Sequence, residues 1–549
     1  MIFEITDVDA LGRLGKIKVN EKEMITPNLF PVIHPLNNSV SIADLKKIGA
    51  ECIFTNAYIL YQNEIIREKV LKEGIHKYLG FNGIIATDSG AFQQYMYNNH
   101  HLSITPATIE MFQERIESDF PVILDIPVQI DDDFHNAKEK VDLNIKRAKE
   151  NILRRESKKC NWFGPIHGGK FRNLLRESAV EMSRLDFAIF ALGGLVKIFL
   201  DYRFKFTLEM LINVKECIIP SKPLHMFGLG LPQFFSLAIA CGCDLMDSAA
   251  YILFAKENRY FTLSTGTKNL NELVEFPCNC PICSNYSPTE LKKMDKNLRT
   301  ELLAKHNLYL SFSELRTIRQ AIREGNLWEL VELRVRNHPN LVKALEIVKE
   351  KGSFFEIYEK LYKNHGRLFS SKESLDRPLI FRYQQRIYSN YRVPKEAQYL
   401  LILPELDVKG KNSPSITKWL EEVKENQILN HQEIHIAFIS YFFGIIPIEL
   451  INTFPMGQYE SYGFEYSLCS GFLNKFRLFF KKHGDKYRKC AILIPEYYID
   501  QFHHQKSFKD NNALNSLKSL LKRQYNSNFG FFKDIDSILI FFKGDNKTR

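Results

Sequence analysis

The chain lacks most features that mark membrane, secreted or disordered proteins. It has 10 cysteines in 549 residues, too few for a disulfide scaffold of this length, so we expect a reduced, cytoplasmic setting. Its longest apolar stretch, 438–451, contains Gly444 and Pro447 and is typical of strands, so no membrane span is predicted. The start MIFEITDVDA has no basic and then apolar signal segment, and export is not expected. Internal repeats and low-complexity tracts are also missing.

The composition is that of a folded protein with several cores. Apolar residues make up 45% and aromatic residues 13% of the chain, which disfavours disorder. At about 150 residues per domain, the length predicts three or four domains. The formal net charge is +10, which favours a polyanionic partner, nucleic acid before others.

Short apolar runs, each ending in a polar or glycine-rich tip, alternate with helical patterns over the first ~270 residues. This repetition predicts parallel strands covered by helices, and seven or more units favour a (β/α)8 TIM barrel. Catalytic groups of such barrels lie at the carboxyl ends of the strands. A GxGxxG fingerprint is missing, which disfavours a dinucleotide-binding fold. The runs are ECIFTNAY, NGIIATDSG, FPVILDIPV, NWFGPIHGG, DFAIFALGGL, PLHMFGLG and CDLMDSA.

Three cysteines and one histidine have the spacing of a metal site. Cys278, Cys280 and Cys283 lie in FPCNCPIC, and His306 follows one helix-length later. Thiolates and imidazole are the ligands that Zn²⁺ prefers, and four of them leave no position open for substrate. The pattern therefore predicts one structural Zn²⁺, although four residues that never meet would share the same spacing.

The predicted order of domains places smaller α+β domains after the barrel and its zinc-binding subdomain. Segment 365–378, HGRLFSSKESLDRP, is interpreted as a linker into the second half, and QYLLILPEL and EIHIAFIS as strands of that half. The expected domains are a catalytic TIM barrel over 1–275, a zinc-binding subdomain with helices over 276–345, a linker or helical domain over 346–400, and an α+β domain over 401–549 that is expected to bind nucleic acid.

A basic segment, KFRLFFKKHGDKYRK at 475–489, lies in the second half. Basic residues interleaved with phenylalanine and tyrosine suit a phosphate backbone with exposed bases. A solvated helix face explains the same pattern equally well.

Two aspartates, Asp88 and Asp247, each end a predicted strand and precede a serine and a small residue. Two carboxylates at one barrel mouth suit substitution at a sugar C1′, where one forms a covalent ester and the other moves a proton. An aspartate before a helix is also a common N-cap, and this alternative applies to each of them.

Each of the further candidate residues also has a purely structural explanation. Asp125 in LDIP can accept hydrogen bonds from a guanine-like edge or cap a turn. Phe92 can stack on a base or pack in a core. The pairs Gly168–Gly169 and Gly193–Gly194 allow close approach of a flat ligand, but tight turns need glycine too.

Many ordered motifs together resemble the archaeal tRNA-guanine transglycosylases. They include MIFEITDVDALGRLGKI, TPNLFPVIHP, TDSGAFQ, LDIP, GPIHGG, LGGLV, CDLMDSAAYILFAKENRYFT, FPCNCPIC and REGNLWELVELR. The resemblance is dense over about 1–345 and looser over 366–460. It implies exchange of a guanine at position 15 in the D-loop of tRNA for 7-cyano-7-deazaguanine, the precursor of archaeosine.

The resemblance also implies roles for individual residues. Asp247 is expected to be the nucleophile and Asp88 the second carboxylate, which shuttles a proton. Cys278, Cys280, Cys283 and His306 match the zinc ligands of the family. The expected substrate-binding residues are Ser89, Phe92, Asp125, His167, Gly194, Leu195 and Val196.

The chain departs from the family pattern at three places. His167 stands where the family has glutamine, and an imidazole does not offer its donor and acceptor side by side as an amide does. Ala91 replaces a serine or glycine. The chain stops where a PUA domain normally begins, so we expect a separate PUA chain or weaker tRNA binding. A homodimer is expected by analogy with the family.

Two alternatives follow from these departures. An archaeosine-synthase-like paralogue would carry a Pro-Cys-Ser–Lys-Pro-Tyr stretch, whereas LILPELDVKGKNSPS has no cysteine. A non-catalytic tRNA-binding subunit would fit His167 and the missing domain, but not the presence of both carboxylates.

Overall fold

The computed structural model describes residues 1–91, 104–404, 414–426, 429–461, 470–494 and 528–544. It divides into two compact units, Met1–Glu350 and Lys351–Arg549. The domain boundaries expected at 275, 345 and 400 stay predictions. Within the described ranges, no helix combines the length and the apolar character needed to cross a bilayer.

The first unit contains thirteen strands among its described residues. Strands β1 to β3 form an antiparallel sheet, β4 to β11 are parallel, and β12 and β13 form a hairpin. The strands are β1 Ile2–Asp9, β2 Gly12–Val19, β3 Lys22–Thr26, β4 Asn28–Pro31, β5 Cys52–Asn56, β6 Ile84–Asp88, β7 Phe120–Pro121, β8 Phe163–Ile166, β9 Ile189–Leu192, β10 Leu224–Met226, β11 Leu245–Ser248, β12 Arg259–Thr262 and β13 Gly266–Asn269.

The parallel strands pair in two sheets, β4-β11-β10-β9-β8 and β5-β6-β7. Single parallel bridges, Val32 to Phe54 and Val122 to Phe163, join the sheets at both edges. The eight strands therefore follow one another in the cyclic order that a closed barrel requires. The prediction of a mixed α/β fold on parallel strands is confirmed.

One apolar core cluster contains side chains of both sheets. Phe30 and Phe163 come from the five-stranded sheet and Phe54 and Phe120 from the three-stranded one, and all four are at least 96% buried. Strand residues buried on both faces account for the unbroken apolar runs of the sequence.

Helices follow most of the parallel strands. Those of the first unit are α1 Ile42–Ile48, α2 Ala57–Gln62, α3 Glu64–Glu73, α4 Ile75–Leu79, α5 Pro106–Arg115, α6 Phe134–Arg154, α7 Arg172–Ser183, α8 Val196–Leu200, α9 Phe204–Lys215, α10 Pro232–Ala240, α11 Ala250–Lys256, α12 Pro281–Asn285, α13 Pro288–Lys293, α14 Lys296–Glu324, α15 Leu327–Val335 and α16 Pro339–Glu350. Gly325, at φ +72°, ends α14, and Pro339 begins α16.

The second unit is also α/β. A five-stranded sheet has the order β17-β16-β15-β19-β20, in which β17 alone is antiparallel to its neighbour. Its elements are α17 Gly352–Tyr358, β14 Arg367–Phe369, α18 Pro378–Ser389, β15 Tyr399–Pro404, α19 Pro414–Glu425, β16 Ile434–Ser440, β17 Gly444–Pro447, β18 Tyr459–Ser461, α20 Ser470–His483, β19 Lys489–Leu493, β20 Phe529–Phe532 and α21 Ile535–Lys543.

Segment 365–378 differs from the predicted linker. It contains β14, which pairs in parallel with β18, and the side chains of Arg367 and Arg377 are buried. Arg377 donates to the carbonyl of Leu368, and its guanidinium carbon lies over the ring of Phe369, 5.1 Å from the ring centroid. The arginines make the segment look solvated in sequence, although their charges are satisfied inside the fold.

Candidate functional site

The carboxyl ends of the parallel strands carry most of the polar candidates. Asp88 is the last residue of β6, Asp247 lies near the end of β11, and His167 follows β8 directly. Asp125 lies four residues after β7. Because all parallel strands point in one direction, these side chains gather at one edge of the fold.

Asp88 is held by the neighbouring strand. Asn56 stands opposite Asp88 in the β5–β6 register, and its Nδ2 donates to Asp88 Oδ2 at 2.9 Å. Burial raises the pKa of Asp88 to about 7, and the nearby carboxylates of Asp125 and Asp247 raise it as well. Backbone hydrogen bonds from Gly90 and Ser89 act in the opposite direction and lower it. Asp88 therefore changes protonation near neutral pH, which suits a group that gives and takes protons.

Asp247 is held on one of its two oxygens. His225 Nε2 donates to Asp247 Oδ1 at 2.7 Å, and the backbone N–H of Gly228 donates to the same oxygen at 3.1 Å. Among the described residues, none donates a hydrogen bond to Asp247 Oδ2, and the Asp247 side chain is 14% exposed. One oxygen is thus anchored while the other is available to a ligand.

His225 is the functional candidate that the sequence did not reveal. It lies in β10, is fully buried, and is enclosed by the rings of Phe30, Phe54, Phe163 and Phe227 at centroid distances of 5.9, 6.2, 5.2 and 5.0 Å. Its Nδ1 has no hydrogen-bond partner among the described residues. A lone histidine inside the apolar run PLHMF was the signal available, because a buried polar side chain normally has a partner.

Asp125 and His167 form a direct pair. His167 Nε2 lies 2.6 Å from Asp125 Oδ2, and the His167 side chain is 2% exposed. The backbone N–H of His167 donates to Ser178 Oγ at 3.2 Å. Nε2–H therefore donates to the carboxylate, and Nδ1, which is buried and has no hydrogen-bond partner in the part of the chain that the structure describes, is left as the acceptor.

The turn after β9 lies against this pair. A side chain at Gly193 would overlap Cε1 of His167, and a Cβ at Gly194 would come within 2.7 Å of the Val128 carbonyl oxygen. Gly194 also has φ +76°, a conformation that favours glycine. The glycine pair thus brings backbone next to the His167 ring.

The remaining predicted residues are distributed around the same edge. Ser89 is buried and donates to the carbonyl of Ile123 at 3.0 Å, so its hydroxyl fixes the loop after Asp88. Leu195 is buried, whereas Val196, the first residue of α8, is 43% exposed. Phe92 lies outside the described residues.

The predicted metal ligands converge. One ligand atom of each of Cys278, Cys280, Cys283 and His306 lies within 4.8 Å of all the others. Sγ of Cys280 and Sγ of Cys283 are 3.6 Å apart, and each lies 3.4 Å from His306 Nδ1. A tetrahedral zinc site needs sulfur–sulfur and sulfur–nitrogen separations of roughly 3.8 and 3.6 Å, so the donor set fits a metal ion.

The surroundings orient the cluster. His306 Nε2 lies 3.0 Å from the carbonyl oxygen of Phe261, which leaves Nδ1 toward the thiols. The ring of Tyr260 stacks on His306 at 3.7 Å, and its hydroxyl lies 3.3 Å from Cys283 Sγ. Cys280 precedes α12, and His306 lies in α14, so the cluster connects a short helix to the longest one described.

A family model described as TGT, queuine tRNA-ribosyltransferase, matches residues 7–340. This span is more than half of the chain and contains every candidate residue above. The chain belongs to this family.

Relatives in the queuine tRNA-ribosyltransferase family extend the likeness into the second unit. The tRNA-guanine(15) transglycosylase of Methanocaldococcus jannaschii is 37% identical over 535 residues, 96% of this chain and 78% of that protein. The protein of the same name from Methanococcus aeolicus is 35% identical over 559 residues, 100% of this chain and 82% of its own length. That from Pyrococcus abyssi is 41% identical over 384 residues, 70% and 65% of the two chains.

His225 gives this family member a testable positioning residue. In His225→Phe, Asp247 Oδ1 keeps only the Gly228 N–H, and a hydrogen bond to a charged group contributes about 1.5–3 kcal/mol. We expect kcat for base exchange to fall about 10–100-fold while KM for tRNA is unchanged. His225→Gln, whose amide can donate to Asp247, serves as the matched control and should recover part of kcat. A change in KM alone would contradict the assignment.

Proposed function

We propose that the chain is a tRNA-guanine transglycosylase, which exchanges guanine at position 15 of tRNA for 7-cyano-7-deazaguanine in the formation of archaeosine. The proposal rests on the different environments of two carboxylates at the carboxyl ends of the parallel strands. Asp247 is anchored through Oδ1, whereas Asp88 has a pKa near 7. Family membership supports the same reaction class.

In the proposed first step, Asp247 Oδ2 attacks C1′ of the target nucleotide. The bond between C1′ and guanine N9 breaks, an ester between Asp247 and the ribose forms, and guanine leaves. The hydrogen bonds to Oδ1 from His225 and Gly228 keep the carboxylate oriented for this attack.

Asp88 would serve both directions of proton transfer. As an acid it protonates the departing guanine, and as a carboxylate it then accepts the N9 proton of 7-cyano-7-deazaguanine. The incoming base attacks C1′ and releases Asp247. A pKa of about 7 keeps both forms of Asp88 populated at neutral pH.

The base would occupy the space beside Asp125, His167 and the Gly194–Val196 backbone. The Asp125 carboxylate can accept from the N1–H and amino groups of a guanine-like edge, and His167 Nδ1 is a further acceptor. Phe92 is kept as the proposed stacking partner.

We infer that the metal is a single structural Zn²⁺ held by Cys278, Cys280, Cys283 and His306. Three thiols and an imidazole are soft ligands, and they fill all four positions of a tetrahedron. The ion would stabilise the fold and would not take part in the exchange.

Release of labelled guanine from tRNA tests the proposal. With the protein at a small fraction of the tRNA concentration, we expect tRNA labelled in guanine 15 to lose more than one label per protein molecule only when 7-cyano-7-deazaguanine or unlabelled guanine is added in excess. A tRNA with adenine at position 15 is the control. Binding of tRNA without any release would contradict the proposal and favour the non-catalytic subunit.

The pH dependence of guanine release should report Asp88. Because its pKa is raised to about 7 in the folded chain, the protonated form predominates below that pH and is lost above it. We expect the single-turnover rate of guanine release to fall about tenfold per pH unit well above pH 7. Asp88→Asn should remove this titration along with most of the rate. A rate that rises through pH 7 would contradict the role of Asp88 as the acid.

A further inference from the structure

A set of exposed basic side chains covers one face of the second unit. It comprises Arg477, Lys481 and Lys482 on α20, and Lys486 and Arg488 in the turn after it, all exposed. We refer to these five residues as the α20 cationic face. Arg477 and Lys481 are one helical turn apart, so both point away from the buried rings of the same helix.

The excess charge of the chain lies almost entirely in this unit. Residues 351–549 have 30 lysines and arginines against 21 aspartates and glutamates, a net charge of +9 out of the +10 of the whole chain. Residues 1–350 have 44 against 43 and are nearly neutral. A polyanion therefore meets its strongest electrostatic attraction at the second unit.

The α20 cationic face is not neutralised by the described part of the chain. No carboxylate among the described residues forms an ion pair with any of its five members, and Asp485 is the one acidic residue within the face. Elsewhere in the unit, Lys418 pairs with Glu422, Arg382 with Glu356 and Lys363 with Glu359.

The neighbouring helix α18 adds further positive charge and an aromatic ring. Lys482 Nζ lies 5.4 Å from the centroid of the Tyr388 ring, which is 39% exposed. Arg386 and Arg392 are exposed beside it. Burial lowers the pKa of His483, and the positive charges of Lys482 and Arg392 lower it further, so both cations lie near this histidine.

The face is presented by a firmly packed helix. Phe476, Phe479 and Phe480 on the opposite side of α20 are at least 98% buried in the core of the unit. Rigid backbone beneath the cations means that little conformational entropy of the main chain is lost when a ligand binds.

We propose that the α20 cationic face binds the phosphate backbone of tRNA. The identity of the RNA rests on the proposed function, whereas the face itself rests on its charge and exposure. Spaced cations beside an exposed tyrosine suit a sugar-phosphate chain. A lipid surface is less well matched, because Leu478 is the one large apolar side chain exposed on the described part of α20.

Replacing three of the cations tests the face directly. For R477Q/K481Q/K482Q we expect tRNA to bind at least about tenfold more weakly, and the slope of log K against log salt to lose about two to three units. The control K138Q/K149Q/K418Q removes two exposed cations and the half-buried Lys138, each of which is paired with a carboxylate. It should keep the slope nearly unchanged. Thermal melting verifies that each variant is folded. If a triple variant does not fold, its three single variants are measured instead.

The outcomes separate this proposal from the proposed function. Wild-type affinity and slope in R477Q/K481Q/K482Q would overturn the face, even if the wild-type chain exchanges guanine. Loss of binding in the same variant would support the face, even if no exchange occurs. If R477Q/K481Q/K482Q no longer bound phosphatidylserine vesicles that the wild-type chain binds, but still bound tRNA as tightly as wild type, the RNA assignment would be overturned in favour of a membrane.

Discussion

Asp247→Asn is expected to abolish base exchange. Loss of a nucleophile that acts as part of a catalytic unit lowers kcat by about four orders of magnitude or more. The amide oxygen of asparagine can still accept from His225 and Gly228, so the fold and the tRNA affinity should be retained. Labelled guanine release and the direct tRNA affinity are the two measurements.

The covalent intermediate provides an independent readout of the same variant. Wild-type protein incubated with tRNA alone should accumulate a tRNA–protein adduct that survives denaturing gels, and Asp247→Asn should form none. Asp88→Asn keeps the nucleophile but lacks the acid for the departing guanine, so it should form the adduct slowly, whereas Asp247→Asn should form none even after long incubation. Full exchange in Asp247→Ala would rule out Asp247 as the nucleophile.

Cys280→Ser is expected to lower the stability of the chain severely. The Sγ of Cys280 lies within 3.6 Å of both Cys283 Sγ and His306 Nδ1, so its loss opens the centre of the proposed site. Loss of a structural metal lowers the free energy of unfolding by more than about 4 kcal/mol. We expect less than one Zn²⁺ per chain by elemental analysis and a lower melting temperature.

Cys217→Ser is the control for that experiment. Cys217 is a half-buried free cysteine that does not belong to the metal cluster. Its substitution should leave both the metal content and the melting temperature near the wild-type values. Equal metal content and equal melting temperature in Cys280→Ser and wild type would contradict a structural metal site.

The sequence predicted the parts of the site that have local signals. Asp88 and Asp247 each end an apolar run, and an apolar run of that length is a strand wherever helices cover both faces. The metal ligands could be predicted because thiols separated by one and two residues have few other uses. The informative residues lie within about ten positions of one another in the chain, except His306, which lies 23 positions after Cys283.

The missed features depend on contacts between distant segments. His225 and Asp247 are separated by 22 positions and belong to adjacent strands, so only the register of β10 against β11 brings them together. The pairing of His167 with Asp125 spans 42 positions in the same way. Strand β14 was hidden because Arg367 is solvated in an extended chain and buried in the folded one.

The contact between His167 and Gly193 restricts the order in which this site can change during evolution. His167 cannot swing away from position 193, because it is buried and bonded to Asp125. Alanine at 193 would therefore be tolerated only after a smaller side chain had replaced the imidazole at 167, whereas glycine at 193 leaves room for either residue at 167. The two positions are epistatic: a mutation that is harmless in one background is disabling in the other.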